Sequence, residues 1–402
     1  MAGGGWGLPR LVEVGGVEVG GVEWAAALEA PDLGLWAQIV AIAVAVSAGT
    51  LLGARAVMAT LGTRLVPLAY AGLVLTQLVV PALLLQRGVL GWLRPLPRIM
   101  LAGISWLGAW RVVELGMGTS PHVALQTGEA SGSARGLPRS VTVYLLSVVE
   151  PVFDKAGRPV SARKGDLKRS FLYFAASLAR FSVVVSVLKP RGYNVGGIPG
   201  HDATALEFFA ISAVNIYAQV WMLYLFLLTA LGLFGTILVA IGFVPIEVFN
   251  SPLSRSTSPR DFWGRRWNLL VHGLIKRTVF VPLRKLGVSG PSAALVGYFV
   301  SGIFHEYLFV VSMQNYVAGT MTAFFLCHMG FTVAETAAMS SRAGKTVAAR
   351  LPAPLCTALV TSLFLVTAPL FFDAMQELYG DLGTAGIRLV VKVMGSNGVS
   401  PK

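Results

Sequence analysis

The run FFAISAVNIYAQVWMLYLFLLTALGLFGTILVAIGFV, residues 208–244, contains 37 residues and no charge. A helix rises ~1.5 Å per residue, so this run is longer than one ~30 Å bilayer crossing needs. It reads as a long tilted helix, a span with an interfacial extension, or a hairpin. On either side lie other apolar runs long enough to span: Leu35–Ala54, Leu65–Leu85, Ile99–Thr119, Phe171–Leu188, Pro291–Met313, Tyr316–Met339 and Ala353–Phe372. Composition agrees. Of 402 residues, 55% are hydrophobic and 13% charged, about half the charge density of a soluble domain. Disordered chains have the opposite balance. Two cysteines, Cys327 and Cys356, both in apolar runs, cannot frame a disulfide scaffold. Continuous rather than alternating apolar runs argue against a transmembrane barrel. The expected fold is all-α, a polytopic bundle of roughly eight spans.

Charge orders the loops. Lys and Arg number 32 against 19 Asp and Glu, for a net +13. Segments 120–170, 250–290 and 341–352 carry net charges of +4, +7 and +3, whereas residues 1–34 carry −4. The basic segments are expected in the cytosol, or as docking surfaces for anionic lipid or phosphate. The early loop 86–98, with Arg87, Arg94 and Arg98, runs against that orientation. Residues 1–34 repeat Val-Glu-Val-Gly-Gly at 12–16 and 17–21 and read as a flexible acidic tail. Neither a secretory signal nor a transit peptide has that acidic start. A single membrane domain is expected over 35–385, followed by a C-terminal tail at 386–402.

The most informative loop is Ser258-Pro259-Arg260-Asp261-Phe262-Trp263-Gly264-Arg265-Arg266-Trp267-Asn268. Ser258 with Asp261 three residues later forms a capping box, and Pro259 suits the first helical position. A helix over 258–275 is therefore expected. On it Asp261, Arg265, Asn268 and His272 share a polar stripe, opposite Trp263, Trp267, Leu270 and Leu274. An interfacial helix with tryptophan anchors explains most of this pattern, but gives Asn268 no role.

The span 291–313 carries His305 and Glu306 in the run Ser301-Gly302-Ile303-Phe304-His305-Glu306. Ionisable groups inside a bilayer are costly and are functional candidates by default. A second histidine at zincin spacing is missing, because position 309 is Phe, so no metal is expected. An imidazole titrating near ~6.5 can accept a proton from an alcohol. The competing readings are a core histidine bonded to a neighbouring helix and a proton relay in a transporter. Arg180 and His328, also within apolar runs, stay unassigned.

Together the loop Arg260–Asn268 and the span ending Ile303-Phe304-His305-Glu306 resemble the membrane-bound O-acyltransferase (MBOAT) superfamily, in its wax-synthase-like branch. The resemblance covers roughly 250–315. It implies acyl transfer from acyl-CoA to a hydroxyl, with His305 as general base and Asn268 as its partner. Asp261, Trp263, Arg265, Arg266, Trp267, Ser301 and Glu306 become expected substrate-binding positions, Arg265 and Arg266 facing the CoA phosphates. Glu306 lies about 100° from His305 on a helix and reads as a structural partner of the site. The implied product is a neutral ester of a long-chain alcohol, sterol or diacylglycerol. Short-chain acetylation of a terpenoid or sterol is an alternative. No cofactor beyond acyl-CoA as co-substrate and no nucleic acid is expected, and the expected residence is the endoplasmic reticulum membrane.

Overall fold

The computed structural model describes residues 11–19, 22–60, 66–121 and 139–394. They fall into two compact units, one formed by residues up to 37, 172–229 and from 378, the other by 38–171 and 230–377. The elements in order are β1 (Leu11–Val19), β2 (Val22–Glu29), α1 (Leu33–Thr60), α2 (Val66–Gln86), α3 (Pro95–Met117), α4 (Arg139–Leu146), α5 (Asp166–Leu188) and α6 (Ala205–Ala240). Short pieces follow: α7 (Pro252–Arg255), α8 (Pro259–Asp261), α9 (Leu269–Ile275) and α10 (Val281–Lys285). Next come α11 (Gly290–Ser312), α12 (Thr320–Ser340), α13 (Arg342–Arg350), α14 (Ala353–Thr367), α15 (Pro369–Phe372), α16 (Tyr379–Ala385) and β3 (Arg388–Met394).

The fold is a polytopic helical bundle. Among the described residues six helices are long and apolar enough to cross a membrane: α1, α2, α3, α5, α6 and α11. A seventh is reached if the bent pair α13–α14 counts as one span. This is fewer than the eight expected. The run 353–372 breaks after Thr367, and α12, at 21 residues, is diluted by Thr, His, Gly and Glu. Residues 208–244 resolve the ambiguity of the opening run: α6 is one continuous helix of 36 residues.

In the first unit, the segment expected to be a tail holds two strands. β1 and β2 pair antiparallel from Leu11↔Glu29 to Val19↔Val22, with an irregularity between Glu13 and Gly15. β3 adds to β2 from Glu29↔Arg388 to Glu23↔Met394. The Val-Glu-Val alternation has the period of two that a strand requires. Arg388 pairs with Glu29, and Ser182 and Ser186 of α5 accept from the amides of Ile387 and Leu389 at 2.9 Å. The two amides inside the apolar α6 run also find work here. Asn215 accepts from Gly196 N at 2.7 Å and donates to Gly197 O at 2.9 Å. Gln219 donates to Tyr193 O at 3.2 Å and accepts from the Tyr379 hydroxyl at 2.9 Å. Unpaired, such groups would be costly in an apolar setting.

In the second unit, α11 lies against α3 and α12. Trp106 meets Phe304 and Tyr307 with ring centres 5.3 and 5.1 Å apart. Gly302 brings α12 close: a Cβ there would stand 3.2 Å from Thr322 Cα. In the loop 86–98, Arg98 donates to Leu93 O and Gly91 O, both at 2.7 Å, so its charge closes the turn after α2.

Candidate active site

The basic loop starts as the sequence dictates. Ser258 Oγ accepts from Asp261 N at 3.1 Å, with Pro259 at the first helical position. The buried Asp261 carboxylate accepts from Thr257 N at 3.2 Å and from Arg266 Nε at 2.6 Å. Arg266 also donates to Asn250 O at 3.3 Å. The two arginines thus differ. Arg266 is committed to the loop, whereas Arg265 stands 77% exposed with its guanidinium 4.0 Å from Asp261.

The single helix expected over 258–275 is not formed. After α8 the chain widens into a π-turn, Phe262–Arg266, in which Trp267 N donates to Phe262 O at 2.9 Å. Trp267 is then extended, and Asn268 is left-handed at φ 43°, ψ 63°. Asparagine tolerates this region better than most residues. Asn268 restarts the chain as the N-cap of α9, its Oδ1 accepting from Val271 N at 3.3 Å. The break severs Asp261 and Arg265 from the face carrying Asn268 and His272. It also leaves the Asn268 amide nitrogen with no described partner.

The tryptophans turn inward. Trp267 stacks on Phe262 at 5.3 Å and 15°, and meets Phe249 edge-on at 5.4 Å. Trp263 packs against Phe325 and donates from Nε1 to His328 Nδ1 at 3.1 Å. His328 is fully buried, and its other nitrogen donates to Thr367 Oγ1 at 3.0 Å. Thr367 in turn donates to Phe364 O at 3.1 Å. Trp263 can only donate, so His328 is held as the Nε2–H tautomer with both nitrogens occupied.

His305 is the counterexample. Its Nδ1 lies 2.8 Å from Ser301 O, one turn earlier on α11. A carbonyl only accepts, so Nδ1 carries a proton, and in the neutral ring Nε2 presents a lone pair. No described residue bonds to Nε2. The ring is walled by Phe304, Phe325 and Phe371 at 4.7, 4.5 and 5.9 Å. Glu306 faces elsewhere. It accepts from Gly319 N at 2.5 Å and from Thr322 N and Oγ1 at 3.1 Å, capping the start of α12. Arg180 is exposed on α5, with local bonds to Ala176 O and Ser177 Oγ.

One cluster escaped the sequence reading. Arg277, in the π-turn Lys276–Phe280 that continues α9, donates to Glu114 at 2.5 Å and to Glu150 at 2.7 and 3.2 Å. Tyr144 donates to Glu114, and Arg111 to Ser147 O while covering the Tyr144 ring. Burial pushes the Tyr144 phenol well above its ordinary value, reinforced by the two carboxylates, so it remains a donor. Arg111 and Glu114 look like flaws in an apolar run. An opposite-charge pair at i,i+3 inside a span was the signal that partners had to exist. Burial, with Lys276 and Arg277 nearby, lowers His272 and keeps that imidazole neutral.

Between α3, α9 and α11 lies an apolar cavity whose walls include Trp106, Trp110, Val271, Ile275 and Phe304. Val271 is the residue whose amide Asn268 caps, and Phe304 precedes His305. Neither Asn268 nor His305 itself lines it. Among the described residues no three His, Cys, Asp or Glu side chains lie together as metal ligands.

Residues 245–327 match the membrane bound O-acyl transferase family. The match spans the Asp261–Asn268 loop, His305 and the start of α12. Among proteins similar to this chain is the probable long-chain-alcohol O-fatty-acyltransferase 3 of Arabidopsis thaliana, 41% identical over 93 residues. That match covers 21% of this chain and 27% of the relative. The acyl-CoA–sterol O-acyltransferase 1 of the same plant is 36% identical over 126 residues, 30% of this chain and 35% of the relative. The long-chain-alcohol O-fatty-acyltransferase of Simmondsia chinensis is 33% identical over 146 residues, 34% of this chain and 40% of the relative. The chain thus spans less than half the length of each of these three relatives.

Proposed function

We propose that the protein is an acyl-CoA-dependent O-acyltransferase that esterifies a lipophilic alcohol in a membrane, with the endoplasmic reticulum as its residence. The observation that carries this reading is His305: an imidazole with Nδ1 fixed on a backbone carbonyl and Nε2 without a described partner, among aromatic rings, inside the family-matched segment. Nε2 takes the proton of the alcohol as its oxygen attacks the thioester carbonyl. The tetrahedral oxyanion then collapses, the carbon–sulfur bond breaks, and the imidazolium returns its proton to the departing CoA sulfur. Asn268 supplies the donor. Its oxygen is held by the α9 cap, which leaves the NH2 group to the thioester oxygen as charge develops there. Arg265, exposed beside the loop, is suited to the CoA phosphates.

The acceptor favoured is a long-chain alcohol or a sterol, in keeping with the names of the relatives. The test is expression in a host deficient in neutral lipid esters, supplied with fatty alcohol, sterol or diacylglycerol, followed by thin-layer chromatography. A new ester dependent on the chain and on acyl-CoA is the expected result. A full set of alcohols giving no ester, from verified membrane-inserted protein, overturns the assignment.

A further inference from the structure

α13 (Arg342–Arg350) carries three cations in nine residues. Arg342, Lys345 and Arg350 are exposed, and Val347 is 58% exposed. The helix carries no acid, and no described carboxylate pairs with its three cations. At 100° per residue the cations, Thr346 and Ala349 occupy one side, and Ala343, Gly344, Val347 and Ala348 the other. A loop that merely obeyed a topology bias would need the charge but not this segregation.

Geometry supplies the second observation. α14 begins two residues later, holds 15 residues without a charge, and departs from α13 at 111°. The bend sets α13 about 20° from perpendicular to α14, so an α14 tilted from the membrane normal by the ~20° ordinary for spanning helices lays α13 in the membrane plane. A helix in that plane, apolar on one side and cationic on the other, sits at the headgroup boundary.

We propose that α13 is an interfacial helix that binds anionic phospholipid headgroups through Arg342, Lys345 and Arg350, with Val347 seated among the upper acyl carbons. The occupant follows from charge: three unpaired cations above an apolar face match a phosphate-bearing lipid, whose headgroup and chain are presented together. The proposal is independent of the acyltransferase reading.

The experiment uses the full chain with Cys327→Ser and Cys356→Ser, and Val347→Cys carrying a fluorophore. The protein is placed in nanodiscs of phosphatidylcholine alone or mixed with phosphatidylserine. The label should be quenched by lipids spin-labelled near the carbonyl and be shielded from aqueous iodide. Energy transfer to acceptor-labelled phosphatidylserine should show enrichment of about five-fold per cation, falling with salt. Combined Arg342→Gln, Lys345→Gln and Arg350→Gln should abolish that enrichment. Should the triple variant fail to insert, Lys345→Gln alone should lower it about five-fold. Iodide access with no lipid quenching, or enrichment untouched by the substitutions, overturns the proposal. So does free coenzyme A shielding the label in phosphatidylcholine discs, which would reassign the cations to a soluble phosphate ligand.

Discussion

Asn268 caps α9 and, in the proposed mechanism, also donates to the thioester, and substitutions can divide the two roles. Its oxygen caps α9, its backbone is left-handed, and its NH2 group has no partner among the described residues. Asn268→Asp keeps a cap acceptor and a residue that tolerates φ 43°, but removes the donor. We expect a protein that melts like the wild type and makes ester ~100-fold more slowly or worse. Asn268→Ala should lose that activity too and also about 1–2 kcal/mol of stability from the cap and backbone. Near-normal activity in the Asp variant would remove the donor from the mechanism. His305→Ala should cut ester synthesis by ~100- to 10,000-fold without altering membrane insertion, as measured by specific activity per inserted protein. The two arginines should separate cleanly. Arg265→Ala should raise the Michaelis constant for acyl-CoA with little change in melting. Arg266→Ala should instead lower the melting temperature, because it unpairs the buried Asp261, a charged hydrogen bond worth about 2 kcal/mol. The sequence singles out His305 and Asn268 as candidates, because each is a polar group with no evident reason to be where it is. The commitments of Arg266, Glu306 and His328 were not legible there. Each is set by a partner far along the chain or across a turn whose shape the sequence did not announce.

At the scale of elements, spans were read to within a few residues, because ~20 apolar residues in a row admit few other structures. The short loop pieces were misjudged. A continuous helix over 258–275 satisfied periodicity, yet the chain spends a π-turn and a left-handed residue to bury Trp263 against His328 and to start α9 afresh. Packing decided there, and packing is not periodic. The Arg277 cluster is the firmest case. A seven-residue helix such as α9 is not stable by its own hydrogen bonds; what fixes it is the continuation into Arg277 and its hold on Glu114 and Glu150. Arg277→Met should leave two buried carboxylates without their cation and destabilise the protein by about 3–5 kcal/mol, read as a fall in melting temperature in detergent. Adding Glu114→Gln and Glu150→Gln to that variant should recover part of the loss. No recovery would mean that Arg277 contributes through its packing rather than its charge.

At the scale of the molecule, composition alone excluded soluble, disordered and disulfide-framed chains, and the helical bundle follows from that. What it could not show is that residues 11–19 and 22–29 belong to a sheet, since low complexity hid a period of two. That sheet has a consequence in time. β2 can pair with β1 as soon as both are made, but its other edge waits for residues 388–394. At ~5–20 residues per second, a ribosome needs tens of seconds to add the roughly 360 residues between them. For that interval a bare strand edge faces every neighbouring nascent chain. Removing residues 388–394 would make the wait permanent, and such a variant should run as larger oligomers on size exclusion in detergent. β3, made after β2, therefore completes the β1–β2 hairpin, so each copy passes through a stage in which the open edge of β2 can be captured by another chain.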